Sequence, residues 1–144
     1  MRISIKKLSS TAIIPKRGSE YAAGYDLCAD IAAFVEILPH TTVKISTGLA
    51  ISVPHGYFGG IFARSGLATK SGLRPSNCVG CVDSDYTGEI IVALHNDLEV
   101  PQIIQPNDRI AQLVIIPFLT VEFEETDCLE QTQRGDNGFG STGL

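Results

Sequence analysis

The chain has 144 residues, the size of a single domain, and is 44% hydrophobic and 19% charged. Its net charge of −5, from eleven basic and sixteen acidic residues, excludes a broad surface for nucleic acid or anionic membrane. No apolar run approaches the ~18 residues of a membrane span, and the alternating start lacks the apolar centre of a secretory leader, so the expected setting is intracellular, cytoplasmic or nuclear.

In chain order, period-two or short apolar runs predict strands over residues 3–7, 42–47, 49–53, 57–63, 89–95, 102–105, 110–116 and 119–123. Prolines 15, 39, 54, 75, 101, 106 and 117 fall at the edges of these runs, where a missing amide hydrogen does least harm. The one helical candidate is the short stretch 65–71, with Ser65 as its cap. From Gln131 onward apolar content nearly vanishes apart from Phe139, which predicts a mobile Gly-rich arm over 131–144 following an all-β domain over 1–130. Short strands at this spacing imply a sandwich or a barrel-like roll.

Chemistry concentrates in residues 80–96, where Asp83, Asp85 and Tyr86 crowd into a turn between apolar strands. On an extended backbone Asp83 and Asp85 share one side and Tyr86 faces the other. Alone, the segment suits either a solvated acidic turn or a site in which a cation or substrate uses the paired charges. Cys78 and Cys81 have close spacing but no companion ligands, and read as plain strand residues in a reducing compartment.

Arg64, Arg109 and Arg134 each sit in a turn-like setting, which suits discrete contacts with a small anion. Arg64-Ser65-Gly66 gathers a guanidinium, a hydroxyl and a flexible amide at the end of a strand, while Gln112 interrupts an apolar run and either satisfies core groups or points at a ligand. Asp26 lies among small residues, where a turn alone would also explain it. Residues 138–143 match a dinucleotide-binding glycine pattern formally, but no helix follows; what remains is a set of backbone amides and hydroxyls able to converge on phosphate.

Taken in order, residues 22–29, 64–73, 80–96, 107–117 and 134–143 resemble the five motifs of the trimeric dUTP diphosphatase (dUTPase) family, most specifically in Arg-Ser-Gly-Leu-Ala, Asp-Ser-Asp-Tyr, Asp-Arg-Ile-Ala-Gln-Leu and Gly-Phe-Gly-Ser-Thr-Gly. The resemblance implies a distorted β-barrel or jelly-roll-like fold and hydrolysis of dUTP to dUMP and diphosphate, which limits uracil in DNA and supplies dUMP for dTMP synthesis. It implies Asp83 as the general base that activates water for attack on the α-phosphorus. It implies Tyr86 beneath the deoxyribose, Asn77, Cys81, Val82 and Ile91 around the uracil edge, and Phe139 stacked on the base.

Phosphate contacts fall by the same resemblance to Arg64, Ser65, Gly66, Gln112, Arg134, Ser141 and Thr142. Mg²⁺ is the implied cofactor, reached by Asp26 through water. The implied assembly is a homotrimer whose sites are shared between chains, with the arm closing last. Ala63, Asn107, Asn137 and Cys81 depart from the usual pattern. Two other readings share the sequence: a dCTP deaminase of the same fold, and a nucleotide-sensing module that switches a protein partner.

Overall fold

The computed structural model describes residues 1–136. Strands β1 (Ile5–Lys7), β2 (Lys16–Arg17), β3 (Tyr25–Cys28), β4 (Val35–Ile37), β5 (Thr42–Ser46), β6 (Leu49–Ile51) and β7 (Tyr57–Phe62) precede the helix α1 (Ser65–Ser71). After it come β8 (Leu73–Pro75), β9 (Val79–Val82), β10 (Ile91–Asn96), β11 (Gln102–Ile104) and β12 (Arg109–Pro117). All pairings are antiparallel, as expected where short loops join strands directly.

The strands form four sheets: β2-β3-β12-β7-β9, β5-β10-β8, β1-β6 and β11-β4. The domain is all-β, as predicted, but no barrel closes among the described residues. The sheets share one core in which Leu27, Ile37, Ile45, Leu49, Leu94 and Ile110 are at most 1% exposed. Full burial of each such side chain is worth about 1.5–3 kcal/mol.

Alternation along β9 buries Gly80 and Val82 and turns Val79 and Cys81 outward. The longest strand, β12, is central in its sheet because Ile110, Ala111 and Leu113 are buried between β3 and β7. Its register against β3 slips between Arg109 and Ala111. A bulge of this kind adds local twist and re-aims side chains, and beyond it Gln112 lies opposite Asp26.

Two buried polar side chains hold loops rather than ligands. Thr47 Oγ1 donates to the Ile90 carbonyl at 2.6 Å, and the Asn96 amide donates to the Ile37 and Val100 carbonyls at 3.0 and 2.9 Å. Both side chains are fully shielded from solvent, so these bonds remove the cost of burying them.

Three expectations are corrected. Residues 119–123 form no strand: Leu119, Val121 and Phe123 are exposed, Phe123 at 97%, and no strand among the described residues pairs with their backbone. Strands β2, β3, β4, β8 and β9 lie outside the predicted runs, since they are two to four residues long and Lys16, Asp26, Glu36, Arg74 and Gly80 break the apolar signal. At the helix start, Arg64 is the N-cap and makes no side-chain capping bond; Ser65 is already helical, and its carbonyl accepts from Thr69 Oγ1 at 2.7 Å.

Candidate active site

Strand β9 ends at Val82 and β10 begins at Ile91, yet the two belong to different sheets. The segment between them therefore bridges a gap instead of closing a tight hairpin. The Tyr86 N–H donates to the Asp83 carbonyl at 3.2 Å, making a turn through Ser84 and Asp85. The turn breaks the two-residue alternation and corrects the expectation drawn from it: Asp83 and Tyr86 line the same cleft, and Asp85 does not line it.

That cleft has a volume of about 260 Å³ and is bordered by Asn77, Cys81, Val82, Asp83, Tyr86 and Ile91, with Glu89 beside them. All the described residues expected around the nucleoside, together with the expected base, thus converge on one space. Among the described residues β9 is paired on one side only, by β7, so backbone groups on its other edge are available to a ligand.

Cys81 Sγ donates to Asp83 Oδ1 at 3.6 Å. Burial, and then the bond to Asp83 and its negative charge, raise the thiol above its ordinary 9.0, so Cys81 is a neutral thiol at physiological pH. Cys78 adopts a left-handed backbone with φ of 62° and receives Arg74 Nη1 at 3.6 Å. Both cysteines are free and exposed; Cys81 lies in β9 as expected, whereas Cys78 precedes the strand.

A second cleft, of about 200 Å³, is bordered by Gly18, Ala22, Gly24, Asp26, Arg64, Ser65, Gly66, Arg109 and Gln112. It gathers every described residue expected at phosphate or metal except Arg134. Asp26 Oδ1 accepts from Arg64 Nε at 2.8 Å and Oδ2 from Arg109 Nη1 at 3.2 Å, while Arg64 Nη1 donates to the Arg109 carbonyl at 3.3 Å. One carboxylate thus fixes two guanidinium groups at the cleft. Gln112 Nε2 donates to the Ala63 carbonyl at 2.9 Å. Gly24 lies so close to Gln112 that a Cβ there would collide with its amide oxygen.

Asn107, which opens the turn before β12, has φ of 69°. Asparagine is among the few non-glycine residues that adopt this conformation readily, so the turn forms without a glycine. Arg134 is exposed in the segment beyond β12 and lines neither cleft. Phe139, Ser141, Thr142 and Asn137 lie outside the described residues.

Two residues escaped the sequence assignment. Arg109 counts among the turn arginines but carries no assigned role, and its partnership with Asp26 depends on the β12 bulge, which no sequence pattern reveals. Glu89 reads as an ordinary strand start; its contacts are 41 and 43 residues away in the chain.

The dUTPase family model matches residues 10–143. The chain belongs to the dUTPase family. A deoxyuridine 5'-triphosphate nucleotidohydrolase of Desulfitobacterium hafniense is 45% identical over 145 residues, covering 100% of this chain and 96% of that one. The enzyme of the same name from Paramecium bursaria Chlorella virus 1 is 44% identical over 140 residues, covering 97% and 96%. Among solved structures, the Staphylococcus bacteriophage 80alpha dUTPase with dUPNHPP superposes with a TM-score of 0.90 at 30% identity, covering 99% of each chain. The two clefts of this dUTPase chain share no lining residue.

Proposed function

We propose that the chain hydrolyses dUTP to dUMP and diphosphate, with Asp83 as the general base for water attacking the α-phosphorus. The observation that carries this is the convergence of Asp83, Tyr86 and Asn77 on the free edge of β9, in a chain of the dUTPase family. Backbone donors and acceptors of that edge, with the Asn77 amide, pair with the rim of uracil. Cytosine inverts one donor–acceptor pair and leaves buried groups unmatched, which is a strong basis for rejection. Tyr86 packs under deoxyribose and excludes a 2′-hydroxyl.

Arg64, with the Ser65 hydroxyl and the Gly66 amide, holds the phosphate chain, and Gln112 contributes its side-chain amide. A magnesium ion bound mainly by phosphate and water suits this chain, because no cluster of three or more acidic, His or Cys side chains exists among the described residues. Asp26 fits the part of an outer-sphere partner. Each of its oxygens accepts one arginine donor and retains a lone pair for a metal-bound water. When bound, the ion neutralises phosphate charge.

The arm over 131–144 closes last, with Arg134 on the terminal phosphate, Phe139 on the base and Ser141 and Thr142 over the phosphates, excluding bulk water. The sites are completed in a homotrimer, because among the described residues the nucleoside and phosphate clefts of one chain have no lining residue in common and Leu119, Val121 and Phe123 are left exposed. In the cell the reaction limits uracil in DNA and supplies dUMP for dTMP synthesis.

The test is diphosphate release from dUTP, UTP, dCTP and dTTP side by side with Mg²⁺, for the full chain and for a chain stopped at Thr132. Hydrolysis of dUTP alone, lost on truncation, is the expected result. Deamination of dCTP, or equal rates on all four, would sink the proposal.

A further inference from the structure

Glu89 lies between β9 and β10, half-buried, and its side chain turns away from the turn it belongs to. Its Oε1 accepts the Gly48 N–H at 2.8 Å and the Ser46 hydroxyl, both from the β5–β6 connection. The next residue is tied to the same connection: the Ile90 N–H donates to the Leu49 carbonyl at 2.8 Å, and the Ile90 carbonyl accepts from buried Thr47 at 2.6 Å.

The carbonyl of Glu89 has a separate task. It accepts the Tyr86 hydroxyl at 2.8 Å, the one hydrogen bond of that hydroxyl among the described residues. Below the ring, Gly88 supplies clearance: a Cβ there would come within 2.6 Å of the Tyr86 oxygen. The ring is therefore fixed at one end by its own backbone and at the other by a carbonyl whose place is set by the Glu89 carboxylate.

We propose that Glu89 is a positioning residue for sugar discrimination, anchoring the carbonyl that orients Tyr86. The inference rests on the dUTPase reading and on Tyr86 facing the deoxyribose. An added 2′-hydroxyl is rejected only when the surface it meets cannot retreat. Removing the carboxylate frees residues 86–89 to move outward, and room for the hydroxyl appears. A site that rejects one added group typically discriminates by ~10²-fold, so loosening is expected to remove about tenfold of the preference for dUTP over UTP.

The experiment compares kcat/KM on dUTP and UTP for wild type, Glu89→Ala, Glu89→Gln, Ser46→Ala, Tyr86→Phe and the double variant Glu89→Ala/Tyr86→Phe. Glu89→Ala and Tyr86→Phe should each lower the dUTP/UTP ratio by about tenfold, and the double variant no further, because both act through one linkage. Glu89→Gln keeps an acceptor oxygen in place and should hold the ratio within about twofold of wild type. Ser46→Ala should fall between.

An unchanged ratio in Glu89→Ala, or multiplicative losses in the double variant, would overturn the inference. If Glu89→Ala does not fold, an unchanged ratio in both Ser46→Ala and Tyr86→Phe overturns it equally, and a lowered ratio in both supports it. A wild type without dUTP activity is a distinct outcome: it contradicts the proposed function.

Discussion

Asp26 works through its neighbours. Its carboxylate joins Arg64 to Arg109, and the half-exposed Arg109 side chain limits the worth of that pair to stability to about 0–1 kcal/mol. Arg109→Met should therefore fold normally yet lower kcat/KM for dUTP by about tenfold, since Asp26, the carboxylate that holds Arg64, loses one of its two guanidinium partners; steady-state rates beside a melting curve check both halves. Asp30 offers a pH-linked case. Hydrogen bonds from Ser9, then Thr11, hold its carboxyl below the ordinary 3.8. A lowered folded pKa means stability that is present above 3.8 and disappears as pH falls through the folded value. Asp30→Asn should melt lower than wild type at pH 7, and the gap should shrink below pH 3.8 in acid titrations followed by circular dichroism.

Strand β3 carries Asp26 on one face and fully buried Leu27 on the other, so its packing sets the position of the carboxylate. Leu27→Ala should lose ~2–5 kcal/mol in denaturant unfolding and weaken dUTP binding as well. This strand also shows what the sequence made legible. Apolar runs announced β5, β6, β7, β10, β11 and β12 to within a residue or two, because each carries at least two consecutive or alternating aliphatic or aromatic side chains. β3, β4 and β8 are too short and too polar to show a period, and they are held by partner strands instead. At the turn after β9, Asp83 and Tyr86 stood out by residue type, but their shared side arises from a hydrogen bond that reverses the chain, which alternation cannot anticipate.

At the scale of the whole molecule, the cleft proposed for the nucleoside and the cleft that holds Arg64 and Arg109 share no lining residue. The motifs named the members of each set, while their separation emerged only in three dimensions. The exposed alternating stretch from Phe118 to Phe123 gives the same indication of partners, since it is strand-like in sequence yet pairs with no strand among the described residues. Sedimentation should give a trimer, and mixing inactive Asp83→Asn with inactive Arg64→Met chains should restore part of the dUTP turnover through hybrid sites. A monomer, or no restored activity in proven hybrids, would separate the catalytic proposal from the shared-site proposal. The catalytic proposal itself is tested most directly by hydrolysing dUTP in ¹⁸O-water and weighing the products of wild type and Asp83→Asn. The label should enter dUMP and not diphosphate, with Asp83→Asn slower by ~10²–10⁴-fold; label in diphosphate, or an undiminished rate without the carboxylate, would contradict it.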